Sequence, residues 1–219
     1  MPERILVHVV SATELHVAKM VTPCTDAAYV TGVFDAATQE ATHLVGGRMQ
    51  KDGTQLPQAF LDVDRTTNQL NVRMGDPASP PVETHPAPEA PWRMYDFDLA
   101  EFALFGPREP KDFSFGLAMA WADTAPPLVQ LLGTVRARYD SSPLVRQDGH
   151  RPLHIFELSG ADLDGEIWTD STTGHILHAS ITRPNHSGYA NFKLELDNVA
   201  RENGKQVWRD ALAAHWQGC

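Results

Sequence analysis

The segment between His154 and His186 holds the densest set of side chains that can transfer protons or bind metal ions. Of the 10 histidines in the chain, this segment contains His154, His175, His178 and His186. Carboxylates, among them Glu166 and Asp170, are interspersed with them. Imidazole and carboxylate groups within reach of one another are the usual components of general acid–base catalysis. The segment is therefore the first candidate for a catalytic or metal-binding site.

One pair in this segment is specific enough to test. If a hairpin closes with Asp170 opposite Gly174, then Glu166 faces His178 across the two strands. A carboxylate opposite an imidazole orients the ring and raises its basicity, so Glu166 and His178 are the candidate catalytic residues. His154 with Asp170 is a reserve pair. An ordinary cross-strand ion pair on a solvated face is the favoured interpretation, because no nucleophile, oxyanion hole or cofactor loop accompanies Glu166 and His178.

A metal site or a bound cofactor is not expected. Side chains alternate along a strand, so His175 and His178 should point to opposite faces and should not chelate one ion together. The chain also lacks the HExxH pattern, a phosphate loop, a glycine-rich dinucleotide fingerprint and a GxSxG elbow.

Large apolar side chains provide a second candidate site. If a barrel is open at one side, some of them would line a cavity for a hydrophobic small molecule or lipid. The candidate ligand-binding residues are Phe102, Phe115, Trp121, Phe156, Trp168 and Ile176. Non-catalytic binding is the function that we expect. Two alternatives stay open, a barrel-type enzyme that uses the His/carboxylate pair and a structural subunit with protein assembly partners.

Three recurring turns indicate the elements that position these residues. Asp35, Asp64 and Asp170 each begin an Asp-x-x-Thr-x segment between strand-like runs. An Asp at the first position of a type I turn accepts backbone hydrogen bonds, and the last residue of such a loop adopts a left-handed conformation. The pattern predicts three antiparallel hairpins of one design.

Strand-like segments separated by short turns continue from residue 4 to residue 197. This organisation predicts a mainly β fold, an antiparallel meander that forms a barrel or half-barrel. One short helix is predicted near 98–105, with Asp98 and Glu101 as a capping box, and a C-terminal helix near 205–216. The Pro-rich segment 76–91 is predicted to be a loop. One domain over 1–219 is preferred to two domains divided by that loop.

Composition excludes several classes of protein. The 219 residues carry 18 Lys and Arg against 28 Asp and Glu, a formal net charge of -10. Contacts to phosphates come from basic side chains, so no nucleic-acid partner is expected. No apolar run is long enough for a transmembrane segment, so a soluble protein is expected. The only two cysteines, Cys24 and Cys219, allow a disulfide bond, but their number and spacing do not predict one.

One family resemblance adds to these expectations. Residues Gly165–Gly174 read GEIWTDSTTG, between the strand-like runs LHIFEL at 153–158 and FKLEL at 192–196. Over residues 133–197 this arrangement resembles the LolA-like half-barrel proteins of the bacterial cell envelope. The resemblance implies an incomplete antiparallel barrel that wraps a short helix and holds a lipid or other hydrophobic ligand, with no catalytic residue to transfer. It also implies a periplasmic location if a leader was removed, and otherwise the cytoplasm is expected.

Overall fold

The computed structural model describes residues 3–120, 127–140 and 152–219. The chain forms two compact units, and each contains one seven-stranded sheet. Unit 1 comprises Met1–Ala87 and Val199–Cys219, and unit 2 comprises Pro88–Asn198. The single domain over 1–219 stays a prediction.

The sheet of unit 1 is an antiparallel meander in which each strand pairs with the next along the chain. Its strands are β1 (Arg4–Ser11), β2 (Glu14–Met20), β3 (Ala28–Asp35), β4 (Glu40–Met49), β5 (Gln55–Asp64), β6 (Gln69–Met74) and β7 (Glu83–Pro86). Strand β7 lies inside the Pro-rich segment 76–91, so the loop prediction is wrong for these four residues. A short outer strand tolerates Pro86, because the missing N–H interrupts no central ladder.

The sheet of unit 2 has the order β14-β13-β12-β11-β10-β9-β8. Its strands are β8 (Trp92–Met94), β9 (Phe113–Ala120), β10 (Val129–Tyr139), β11 (Leu153–Gly160), β12 (Leu163–Asp170), β13 (Ile176–Ile181) and β14 (Phe192–Glu195). Only the β8–β9 pair is parallel among the strand pairs of the described ranges. The mainly β, antiparallel prediction is confirmed, and one of the two sheets is curled into a half-barrel.

Both predicted helices are present. The first, α1 (Phe102–Phe105), is shorter than predicted, and the second, α2 (Gly204–His215), matches its predicted range closely. The predicted capping box does not form, because Asp98 has a left-handed backbone with φ 57° and Glu101 makes no side-chain cap. None of the helices among the described residues is long and apolar enough to span a membrane.

The three predicted Asp turns are confirmed in detail. The Oδ1 atoms of Asp35, Asp64 and Asp170 each accept hydrogen bonds from the two backbone N–H groups two and three positions ahead. The closing residues Gln39, Asn68 and Gly174 all have positive φ. The hydroxyl of Thr66 also donates to Oδ1 of Asp64, and together with these backbone hydrogen bonds it lowers the pKa of Asp64 to about 2, because all of them stabilise the ionised form.

The apolar core of unit 2 lies on one face of its sheet. Strands β9 to β14 contribute alternate side chains to it, and α1 and the turn before it cover them. The buried members include Tyr95, Leu99, Phe102, Phe115, Leu117, Phe156, Ile167, Ile176, Ala179 and Phe192. In unit 1, helix α2 packs Trp208 and Leu212 on the sheet, against Ala18, Met20, Ala27, Tyr29 and Met49.

Candidate functional site

The face of the unit 2 sheet opposite its core carries the polar residues of the site. In β12, Leu163 and Ile167 enter the core, whereas the alternating residues Asp164 and Glu166 point away from it. The period of two residues along a strand produces this separation. The sheet therefore has one apolar and one polar face.

A broad trough of about 1460 Å³ lies on the polar face. It extends across six strands, from β9 to β14, which corresponds to roughly 24 Å along the sheet at about 4.8 Å per strand. Thirteen of its 18 lining residues have polar or charged side chains, and the other five are Phe113, Ala137, Leu158, Gly165 and Ile181. The polar lining residues are Asp112, Ser114, Thr134, Arg136, Arg138, Glu157, Ser159, Asp164, Glu166, Ser180, Thr182, Asn191 and Lys193.

Cross-strand register arranges these side chains in rows. In one row Arg138 lies opposite Glu157, Glu157 opposite Glu166, Glu166 opposite Ser180 and Ser180 opposite Lys193. Arg138 forms an ion pair with Glu157. Basic groups therefore stand toward both ends of the row and carboxylates in its middle. Over the whole trough, three basic side chains stand against four acidic ones, so the net charge is close to zero.

The predicted catalytic pair borders this trough, but its register differs from the prediction. Glu166 lies opposite Ser180, and His178 lies opposite Trp168 on β12 and opposite Glu195 on β14. The Nδ1 atom of His178 is 2.6 Å from Oε1 of Glu195, whereas its Nε2 is 4.0 Å from Oε1 of Glu166. The direct partner of the imidazole is therefore Glu195, which the sequence analysis did not select.

Two local features shift the register. The N–H of Asp170 donates to the carbonyl of His175, one residue beyond the predicted partner Gly174. A bulge then places Ile176 opposite Thr169 and His178 opposite Trp168, which leaves Leu177 as the extra residue. The total shift is two residues, so Glu166 and His178 keep the common face that was predicted.

The six candidate ligand-binding residues separate into three groups. Phe102, Phe115, Phe156 and Ile176 are buried and pack together in the core of unit 2. Trp168 lies on the opposite face, where its ring centroid is 4.6 Å from that of His178. Trp121 lies outside the described residues. The two residues of the reserve pair have other contacts. Asp170 accepts the hydrogen bonds of its turn, and His154 packs against the rings of Tyr139 and Phe156.

The carboxyl group of Glu101, directly before α1, is fully buried in unit 2. Oε1 of Glu101 accepts a hydrogen bond from the N–H of Met94 at 2.8 Å, and Oε2 has no hydrogen-bond partner among the described residues. Burial raises the pKa of Glu101 to about 7, and the nearby guanidinium of Arg93 opposes that rise. Burial also lowers the pKa of Arg93, whose guanidinium lies 5.8 Å from the ring centroids of Phe102 and Phe105.

Unit 1 contains a chain of polar contacts that the sequence analysis missed. Trp208 of α2 hydrogen-bonds Tyr29, whose hydroxyl lies 2.9 Å from Nδ1 of His16, and Nε2 of His16 lies 3.0 Å from Oε1 of Glu14. These contacts link α2 to strands β2 and β3. His8 lies opposite His16 and stacks on Trp208. The sequence gives one sign of these contacts: Glu14 and His16 are two positions apart in a strand-like run, and His8 lies in the run before it.

The two cysteines form a disulfide bond, which their spacing did not predict. Cys24 and Cys219 are 195 positions apart in sequence, with Cα atoms 5.6 Å apart. The bond joins the segment between β2 and β3 to the residues that follow α2. Spacing in sequence carries no information on this pair, because only the docking of α2 brings the two residues together.

Comparison of the chain with protein-family models, with curated proteins and with solved structures finds no match. The resemblance of residues 133–197 to the LolA-like half-barrel proteins therefore stays a prediction.

Proposed function

We propose that this protein is a non-catalytic binding protein and that the trough of unit 2 receives an elongated, polar, uncharged ligand, with a short oligosaccharide as the chemical class. The observation that carries the proposal is the open polar trough across β9 to β14. Large concave surfaces with converging polar groups are where ligands bind.

The chemistry of the lining supports a ligand rich in hydroxyl groups. The interior strands have their backbone groups engaged in ladders, so the face offers only side chains to a ligand. Ser and Thr hydroxyls both donate and accept, carboxylates accept, and Arg and Lys donate. Sugar hydroxyls can satisfy all three kinds of group.

Charge argues against strongly charged ligands. A polyanion would meet the carboxylates Glu157, Asp164 and Glu166 and a protein with a net charge of -10. A polycation would meet Arg136 and Arg138 on one side of the trough and Lys193 on the other. A neutral ligand avoids both repulsions.

An apolar small molecule or lipid, the ligand expected from the sequence, is the alternative. Four of the side chains chosen for it, Phe102, Phe115, Phe156 and Ile176, are in contact within a packed core. An apolar ligand would have to displace some of them, and such displacement costs packing energy. An assembly subunit is the other alternative, since a wide exposed face can also receive a protein partner.

The test combines a ligand screen with a variant that fills the trough. Neutral linear pentasaccharides of several linkages are titrated into the purified protein by calorimetry. Ser180→Trp places a large ring on the trough floor, and Ser187→Trp, on an exposed loop outside the lining, is the matched control. We expect binding to the native protein and to Ser187→Trp, and its loss in Ser180→Trp.

Native mass spectrometry of protein from its own source separates the alternatives. A co-purifying lipid that persists in Ser180→Trp would replace the trough proposal with the apolar one. Partner proteins in the spectrum would favour an assembly subunit. Absence of binding across the pentasaccharide panel would contradict the oligosaccharide as ligand class.

A further inference from the structure

The Cys24–Cys219 disulfide lies at the protein surface. Both cysteines are exposed, so a reagent in solution can approach the bond. An exposed bridge between two segments far apart in sequence is open to thiol–disulfide exchange, whereas a bridge buried in a core is protected by its surroundings.

The bridge holds the last turn of α2 against the segment between β2 and β3. The N–H of Cys24 donates to the carbonyl of His215 at 3.0 Å, and Nε2 of His215 lies 2.8 Å from the carbonyl oxygen of Thr25. The covalent bond and both hydrogen bonds therefore act on the same end of the helix. Breaking the bridge removes the tether that keeps these short contacts together.

The rest of α2 is held by a narrow apolar stripe and by the contacts of Trp208 with Tyr29 and His8. Its buried residues are Trp208, Leu212 and His215, whereas Val207 on the adjacent side is 48% exposed. At the helix N-terminus, Asn203 has a left-handed backbone, and its side chain makes no capping hydrogen bond within the described residues. A 12-residue helix is marginal by itself in water, so α2 stays helical mainly because it is docked.

We propose that Cys24–Cys219 is a thiol–disulfide exchange site for a dithiol reductant and that α2 is a strap which the reaction releases. One thiolate of the dithiol attacks a sulfur of the bridge, the S–S bond breaks, and the other cysteine leaves as a thiolate that takes up a proton. The second thiol of the reductant loses its proton and attacks the mixed disulfide. It forms the reductant's own disulfide and frees the second cysteine, so two electrons pass from the dithiol to the bridge.

Release of the strap uncovers a surface of mixed character in unit 1. The contacts of Trp208 and Leu212 cover Ala18, Met20 and Met49, and Trp208 also covers His8 and Tyr29. The released state therefore exposes an apolar groove with an imidazole and a phenol at its side. The oxidised state hides that groove, so the bridge controls access to it.

Hydrogen exchange under native conditions tests the proposal with dithiothreitol as the dithiol. Alkylation and mass measurement count the free thiols, and the count is unambiguous because the chain has only two cysteines. We expect complete reduction without denaturant and exchange of the α2 amides about tenfold faster or more, with the strands β2 and β3 still protected. In the double variant Cys24→Ser with Cys219→Ser, the α2 amides should exchange as fast as in the reduced protein. Dithiothreitol should not change that rate.

Leu212→Ala provides a second variant that keeps the bridge but weakens the apolar stripe. In the oxidised form its α2 amides should exchange only slightly faster than those of the native protein, and reduction should then release the helix completely. A bridge that resists dithiothreitol in the native state would overturn the proposal. So would unchanged α2 exchange after reduction, or loss of protection in β2, β3 and α2 together, which would make the bridge a structural staple of unit 1.

Discussion

The Nδ1 atom of His178 lies 2.6 Å from Oε1 of Glu195 on the neighbouring strand. Its other nitrogen, Nε2, lies 4.0 Å from Oε1 of Glu166, so the imidazole stands between two carboxylates at the border of the trough. Glu195 is mostly exposed, whereas the His178 side chain is largely covered. The contact with Glu195 holds the ring in one orientation, which a proton-transfer site would require.

The first prediction concerns this pair. His178→Gln should change the free energy of unfolding by no more than about 1 kcal/mol, because a polar contact with the mostly exposed Glu195 is worth little. Urea denaturation of His178→Gln and of Glu195→Gln measures it. Pentasaccharide binding should persist in both variants if the trough binds without catalysis. Loss of a hydrolytic activity on the bound sugar in His178→Gln alone would instead support the enzyme alternative.

The second prediction concerns the buried carboxyl of Glu101. Its pKa is about 7 in the folded protein against 4.5 as its ordinary value, so the folded state binds the proton more tightly. Stability from this group is therefore present below about pH 4.5 and falls as the pH rises to about 7, by about 3 kcal/mol in total. Unfolding in urea at several pH values checks this.

Glu101→Gln is the matched control for that experiment. The amide oxygen can still accept from the N–H of Met94, but the group no longer titrates. The stability of the native protein relative to Glu101→Gln should fall between about pH 4.5 and 7. Equal pH profiles of the two proteins would show that burial does not raise the pKa of Glu101.

The third prediction rests on the close approach of Gly106 and Gly174 in unit 2. A Cβ on Gly106 would lie 1.8 Å from the carbonyl oxygen of Gly174, and a Cβ on Gly174 would lie 2.4 Å from that of Gly106. Either Gly→Ala change should cost at least about 2 kcal/mol, since backbone must move.

Gly188→Ala separates the clash from backbone strain. Gly188 has a φ of 88°, close to the 79° of Gly174, but a Cβ there would have open space around it. Only strain of about 1 kcal/mol should appear. If Gly188→Ala and Gly174→Ala lose the same stability in thermal or urea unfolding, the proposed contact is not responsible.

The fourth prediction distinguishes a packed core from a ligand cavity. Phe156 is fully buried and lies 5.1 Å, centroid to centroid, from Phe113. Phe156→Ala should lower the free energy of unfolding of the ligand-free protein by about 3 to 5 kcal/mol, because the surrounding side chains cannot fill the space. A loss below about 1 kcal/mol would indicate that Phe156 packs poorly without a ligand and would favour the apolar alternative.

The Asp turns, helix α2 and the face of β12 and β13 could be predicted from residues that are close in sequence. Asp35, Asp64 and Asp170 form the predicted turns because their partners are backbone N–H groups two and three residues away. The helix α2 was predictable for the same reason, since its apolar stripe repeats at helical spacing. Alternation along β12 and β13 likewise placed Glu166 and His178 on one face.

Features that depend on contacts between residues far apart in sequence could not be predicted from local patterns. The bulge at Leu177, which helps to place His178 opposite Trp168 and away from Glu166, accompanies the packing of Ile176 and Ala179 in the core. The capping box failed because the carboxyl of Glu101 is buried and accepts from Met94. Both the bulge and the missing capping box depend on tertiary packing, to which residues from many parts of the chain contribute.

By itself, the sequence determined the mainly β fold, the three Asp turns and the shared face of Glu166 and His178, because neighbouring residues encode turns and periodicity. Only the tertiary structure decided the strand register, the polar trough and the pairing of Cys24 with Cys219. The physical reason is that packing and long-range closure select among alternatives that local hydrogen bonding leaves nearly equal in energy.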